Sequence, residues 1–209
     1  MNLAGSLSQL GLRVLVVDMD KQRNSYLWYV NSQSNPAPIG FEVVSWSQFK
    51  EDFLDHLAPR LEEFDVVFVD CPPAMESIIP WTSLLACDFA LIPVVPDHLN
   101  LWGAKDAENL VFEARSERKK LGLPSDLPAA FLFSSVAKGV VAETCQQTLK
   151  AAATIPIFKS KISRKNSYLN GPVFGTTTRL FRKNGASEEV CALAMELAKE
   201  LKIKIKKQK

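Results

Sequence analysis

The run Val14–Asp20, VLVVDMD, constrains the chain more than any other stretch. Val14, Leu15, Val16 and Val17 leave no polar face. A strand built from them must be covered on both sides, as the strands of parallel sheets are. That commits the chain to an α/β arrangement instead of a half-solvated antiparallel meander. The run ends in Asp18 and Asp20, and in open α/β sheets ligands bind beyond the carboxyl ends of the strands. Val66–Asp70, VVFVD, repeats the pattern further along. Two buried strands therefore carry aspartates to one sheet edge.

The remaining elements agree. Phe89–Val95 (FALIPVV) and Ala129–Ser134 (AAFLFS) read as two more buried strands, and Phe41–Val44 and Ile155–Phe158 as short ones. Leu3, Leu7 and Leu10 recur at helical spacing over Met1–Leu10, with Gly11 suited to the C-terminal cap. A helix opened by Ser47 is predicted through Phe49, Phe53, Leu54, Leu57 and Leu61, with Pro59 as a bend. Helices are also predicted over Ile78–Cys87, Leu101–Lys120 and Glu143–Ala153. Ser187 is expected to cap a last helix that turns Val190, Leu193, Ala194 and Leu197 inward. Between Lys21 and Gly40 the chain is polar, and Pro36 and Pro38 mark the second half as loop. Strands alternating with helices predict a mostly parallel, doubly wound α/β sheet with helices on both faces. One domain is expected over residues 1–209, with a basic tail over 202–209.

Composition narrows the classes. With 47% hydrophobic and 23% charged residues the chain is no disordered polyelectrolyte. Its apolar runs are strand-sized, and its start does not read as a signal peptide. Cys71, Cys87, Cys145 and Cys191 form no CxxC pair and are expected as reduced core residues of a cytoplasmic protein. The net charge of +2 hides an asymmetry: residues 159–209 hold 13 Lys+Arg against 4 Asp+Glu. That imbalance suits either an anionic partner or a solvated lysine-rich tail.

Asp18, Asp20 and Asp70 along one edge suit Mg²⁺ and phosphate, because magnesium takes one or two carboxylates and completes its shell with water and phosphate oxygens. A carboxylate beside the metal can also orient an attacking water. One Asp after a strand is more simply a turn residue or a helix cap. Three of them, with an Asp-x-Asp pair and an Asp-Cys-Pro-Pro stop, favour a functional edge.

The segments RVLVVDMDKQ, FDVVFVDCPPA and CDFALIPVVPDHLNLWGA, in this order, resemble the ParA/MinD family of deviant Walker ATPases, nearest the small ParA-type plasmid-partition ATPases. The likeness runs from Met1 to the final helix. It implies ATP and Mg²⁺ as cofactors. Asp20 would position the hydrolytic water, Asp70 would support Mg²⁺, and Asp18 would assist the metal shell. Gln22 lies in the nucleotide-proximal turn, and Ser134 stands near where relatives contact adenine. The resemblance further implies an ATP-sandwiched homodimer, non-specific DNA binding on the nucleoid, and a ParB-like partner protein. Arg164, Lys165, Arg179, Arg182 and Lys183 are the candidate phosphate contacts, and such contacts are sequence-independent and salt-sensitive. Trp102 falls where relatives place dimer-face residues.

Departures accompany the matches. No KGGxGKT/S phosphate loop occurs in these residues, and Met1–Ala4 resembles the helix that follows such a loop. A longer protein read short is the favoured expectation and a degenerate paralogue the other; these residues alone are not expected to hydrolyse ATP. Lys21 stands where the family's turn has Pro, and Ser134-Ser135 where relatives carry Asn-Arg or Thr-Arg. Two other classes stay open: a non-catalytic regulatory or binding paralogue, and a MinD-like membrane-associated positioning ATPase. For the latter, Leu201, Ile203 and Ile205 alternate with lysines at strand period, so membrane targeting is not expected.

Overall fold

The computed structural model describes residues 1–73, 77–178 and 185–205. The chain forms two compact units, Met1–Pro80 with Asn166–Lys209, and Trp81–Lys165.

In the first unit, helix α1 (Asn2–Gln9) ends before Gly11, whose φ of +85° lets the chain reverse into strand β1 (Val14–Asp18). All five β1 residues are buried, as their uninterrupted apolar pattern requires. β1 is the centre of a parallel sheet in the order β2-β1-β3, with β2 spanning Glu42–Ser45 and β3 Val66–Asp70. Leu15 and Val17 face a core of Met19, Phe53, Leu57 and Ile79, with Trp46 and Phe49 against it. Val14 and Val16 alternate to the opposite face; α1 packs against β1, and α8 (Ala186–Glu200) against α1. Arg13 fastens the start of β1 to the start of β3 by pairing with Asp65 at 2.9 Å.

Three expectations change here. The helix predicted from Ser47 is broken into a 3₁₀ turn (Ser47–Asp52), a short helix α3 (Phe53–Leu57) and a second 3₁₀ turn (Ala58–Glu63). Lys50 interrupts it at φ +48°, ψ −126°, a conformation no helix admits, and Pro59 then starts the second 3₁₀ turn. The last helix begins at Ala186 behind Gly185 (φ +71°) instead of at a Ser187 cap, although Val190, Leu193, Ala194 and Leu197 are buried as expected. Cys145 is buried, but Cys71 and Cys87 are half-buried and Cys191 is exposed; all four are free thiols.

Two helices have no counterpart in the sequence reading: α2 (Asn24–Ser32) and α7 (Asn166–Val173). They hold each other through polar side chains. Trp28 and Asn31 on α2, with Asn35 in the turn just past its end, donate to the carbonyls of residues 172 to 176. This satisfies the carbonyls left over where α7 ends. The approach is close enough that a Cβ on Gly171 would stand 2.5 Å from the Trp28 ring.

In the second unit, β4 (Ala90–Val94) and β5 (Ala129–Phe133) form a parallel pair. Phe131 bridges in parallel to Ile157, so the expected strand at 155–158 contributes a single bridge. Helix α4 (Ile78–Ala86) leads into this unit. Helices α5 (His98–Lys120) and α6 (Val140–Ala152) pack over a core of Ala90, Val94, Val111, Phe131, Phe133 and Leu149. Asp97 caps α5 by accepting the Asn100 N–H at 2.9 Å. Among the described residues, no helix is long and apolar enough to cross a membrane.

Candidate nucleotide site and basic segments

The register of β1 against β3 pairs Asp18 with Asp70, so both aspartates leave the same end of the sheet side by side. Their surroundings differ. Asp18 is fully buried. One carboxylate oxygen accepts the Asp20 N–H at 3.1 Å, and the other accepts the Tyr26 N–H at 2.9 Å. Burial pushes its pKa up; the two amides oppose that shift, and the neighbouring Asp70 and Asp20 charges add to it. Asp18 thus braces the turn between β1 and α2. Asp70 is exposed and accepts the Ser25 hydroxyl at 2.6 Å. Asp20 is half-buried and accepts the Gln22 N–H at 2.9 Å, and Gln22 itself is exposed. The turn closes at Arg23 (φ +54°), whose N–H donates to the Asp20 carbonyl.

Helix α1 begins at this edge. The α-amino group of Met1 is desolvated there, which lowers its pKa, while the charges of Asp70 and Asp18 pull it the other way. The N-terminus of α1 has no side-chain cap, so its first amides and positive dipole end lie beside two carboxylates. Ser25 was missed in the sequence. The signal available was its place in the first turn after the Asp-x-Asp pair, but only the Ser25–Asp70 bond ties it to the edge.

The arrangement fits a Mg²⁺–phosphate group in part. Asp70 can support a magnesium ion through water with its remaining lone pairs, and Asp18 holds the turn in place behind it. Among the described residues no three His, Cys, Asp or Glu side chains gather to bind a metal alone. Most ligands of such an ion would therefore be water and phosphate oxygens. The phosphate side does not fit, since these residues contain no glycine-rich loop.

The other predicted site residues lie apart in the sequence. Ser134 follows β5 in the second unit, half-buried, and donates its N–H to the Val94 carbonyl at 2.9 Å. Arg164 is exposed and Lys165 half-buried. They follow the parallel bridge of Val136 to Ser163, and the Arg164 N–H donates to the Val136 carbonyl at 2.9 Å. Arg179, Arg182 and Lys183 lie outside the described residues. Thr178, just before them, is buried and donates its N–H to Asn2 Oδ1 at 3.0 Å.

No family model matches the chain. It is 28% identical over 186 residues to maintenance of carboxysome distribution protein A of Halothiobacillus neapolitanus, covering 89% of this chain and 82% of that one. It is 24% identical to the chromosome partitioning protein ParA of Myxococcus xanthus, covering 95% of this chain and 81% of the relative. Among solved structures, Cyanothece McdA in complex with ATP superposes with a TM-score of 0.70 at 16% identity, over 99% of this chain and 91% of that one. The MinD cell division protein of Aquifex aeolicus superposes at 0.65 and 15% identity, over 100% and 92%. Cobyrinic acid a,c-diamide synthase of Mycobacterium smegmatis, solved with an ATP analogue and magnesium, superposes at 0.70 and 17% identity, over 97% and 88%. In sequence the chain is similar to these partitioning and distribution proteins, and it shares the α/β fold of the McdA and MinD structures.

Proposed function

We propose that the chain serves as a ParA-type partition or positioning protein. In this reading it is a nucleotide-dependent homodimer that binds DNA without sequence preference, answers to a ParB-like partner, and works on the nucleoid in the cytoplasm during plasmid or chromosome segregation. Residues 1–209 are taken as one nucleotide-binding domain. The observation that supports this most is the register pairing of Asp18 with Asp70 at the sheet end where α1 begins. Mg²⁺ would be held through water at Asp70, Asp20 would face the hydrolytic water, and Ser134 would lie toward the base. Bound Mg²⁺ would neutralise phosphate charge. Asp18 and Ser25 keep the carboxylates oriented. Arg164 and Lys165, with Arg179, Arg182 and Lys183, would contact DNA phosphates.

A second reading, a binding paralogue without catalysis, is favoured by one fact: both Asp18 oxygens are engaged by the backbone of its own turn. Fluorescence anisotropy on a random-sequence duplex, with and without Mg·ATP, separates the two. Partition-type behaviour is retention that strengthens with Mg·ATP and falls steeply with salt. Each phosphate contact removed, as in Arg164→Glu, should reduce the log–log salt slope by about 1. Retention unaffected by nucleotide would leave the binding-paralogue reading. Retention insensitive to salt, or none, would overturn DNA binding by the basic segments.

A further inference from the structure

β2 pairs with β1 on one side, and among the described residues no strand covers its other edge. A groove of about 1100 Å³ runs there, lined by every residue from Gly40 to Ser45 in succession. A cavity lying on one face of a strand touches alternate residues; one that touches each in turn follows the edge. The Trp46 N–H donates to the Asp18 carbonyl at 3.0 Å. Because strand backbone groups alternate in direction, Glu42 and Val44 also face β1, and Phe41, Val43 and Ser45 turn their polar groups into the groove. The opposite wall carries Tyr26 and Tyr29, ring centroids 6.5 Å apart, together with Lys21 and Arg23.

The groove has one sign of charge. Its carboxylate, Glu42, is clasped by Arg60, with each oxygen 3.0 Å from a guanidinium nitrogen. Lys21 and Arg23 are exposed and belong to none of the ion pairs among the described residues. They follow Asp18, whose register partner is Ser45, so they stand at the carboxyl end of β2. A strand added parallel to β2 brings its own carboxyl end to these cations. An antiparallel one would bring its amino end there.

We propose that this edge takes an extended segment of a partner protein, added parallel to β2, with an acidic C-terminal end held by Lys21 and Arg23. Main-chain bonds to Val43 and Ser45 supply affinity, the tyrosine rings cover the segment, and the cations set its direction.

The test uses the full chain and a fluorescein-labelled peptide, Thr-Val-Thr-Val-Thr-Val-Glu-Glu with a free carboxylate, titrated by fluorescence anisotropy. Saturable binding is expected. Lys21→Glu or Arg23→Glu, shown folded by circular dichroism, should each weaken it about tenfold. Two peptide controls leave the protein untouched: N-methylation at alternate residues should abolish binding, and so should replacing both glutamates by lysine. Undiminished binding of either control would overturn the proposal. So would self-association of the chain through this edge, seen as a concentration-dependent sedimentation coefficient that Arg23→Glu removes. Neither nucleotide nor DNA enters the assay, so the outcome is separate from that of the partition reading.

Discussion

Glu108 lies on α5 with its side chain 1% exposed, and its two oxygens have different work. Oε1 accepts from the Thr154 N–H at 2.7 Å, the Thr154 hydroxyl at 2.8 Å and the Ile155 N–H at 3.0 Å. Oε2 accepts from Lys105 Nζ at 2.9 Å. Burial alone would push the carboxyl up, but the Lys105 ammonium and the Ile155 and Thr154 donors together outweigh it and hold the pKa at about 2, against an ordinary 4.5. At about 1.4 kcal/mol per pH unit this caps the linked stability at about 3 kcal/mol. Lys105 is 57% exposed, so solvent screening of its share brings the expected figure to about 2 kcal/mol. A depressed carboxyl contributes above its unfolded pKa. The stability is therefore complete above about pH 5 and lost as pH falls toward 2. Glu108→Gln keeps a carbonyl oxygen for the three donors and loses only the ammonium, so about 1 kcal/mol is expected at pH 7, with a flat response below pH 5. Glu108→Ala leaves the donors without an acceptor and should cost about 3–4 kcal/mol. Urea denaturation followed by tryptophan fluorescence across pH 7 to 2.5 reads all three proteins. The reasoning fails if Gln is as damaging as Ala, or if the native protein and the Gln variant lose stability in parallel.

Three further outcomes are expected. Gly171→Ala would place a Cβ 2.5 Å from Trp28, whose ring cannot retreat because its Nε1–H donates to the Thr176 carbonyl at 2.8 Å; thermal unfolding should show a loss of about 2–3 kcal/mol. Arg118 is buried and donates to the Leu84, Leu85 and Cys87 carbonyls that end α4, so Arg118→Met should cost about 2–4 kcal/mol in urea denaturation and Arg118→Lys, which lacks the planar fork, should recover little of it. Asp70→Asn removes charge from an exposed group with one hydroxyl partner and should change stability by less than about 1 kcal/mol, whereas Asp18→Ala strips two backbone amides and should cost about 2 kcal/mol or more. Because the Asp18 pKa is raised, the native protein should gain stability relative to Asp18→Asn as acid titrates that carboxyl, a slope opposite in sign to that of Glu108.

The buried strands were legible because their apolar runs admit one solution: β1, β3, β4 and β5 fall within the runs that predict them. α8 was legible for a related reason, an apolar stripe, and α5 by the length of its helical pattern, although its buried face also holds Glu108 and Arg118. Where structure rests on polar side chains meeting backbone, the sequence was silent. α2 has buried only Ser25 and Ser32, and its attachment runs through Trp28 and Asn31, with Asn35 just past its end, residues that carry no hydrophobic period. The segment 47–63 failed in the opposite sense. Its apolar residues do recur at helical spacing, yet the backbone at Lys50 breaks the helix, and a period cannot report one residue's φ and ψ. At the candidate site the two Asp-ended strands were visible in the sequence, but the division between a buried Asp18 and an exposed Asp70 was not.

That division follows from sheet position. β1 has a strand on each side and layers on both faces, so an aspartate at its end is sealed and must find partners within its own turn. Asp18 finds them in Asp20 and Tyr26. β3 has β1 alone beside it among the described residues, and Asp70 keeps its exposure. A charge that must meet a ligand needs that exposure, because a sealed carboxylate resists both ionisation and approach. A turn that must present Asp20 and Ser25 at fixed places needs the sealed one, since its two hydrogen bonds hold the backbone from Asp18 to Tyr26. In the proposed reading the paired motif would divide into a contact residue, Asp70, and a positioning residue, Asp18. The measurement that separates them is stability, where Asp18 should dominate, set against Mg²⁺ dependence of nucleotide-linked binding, where Asp70 should.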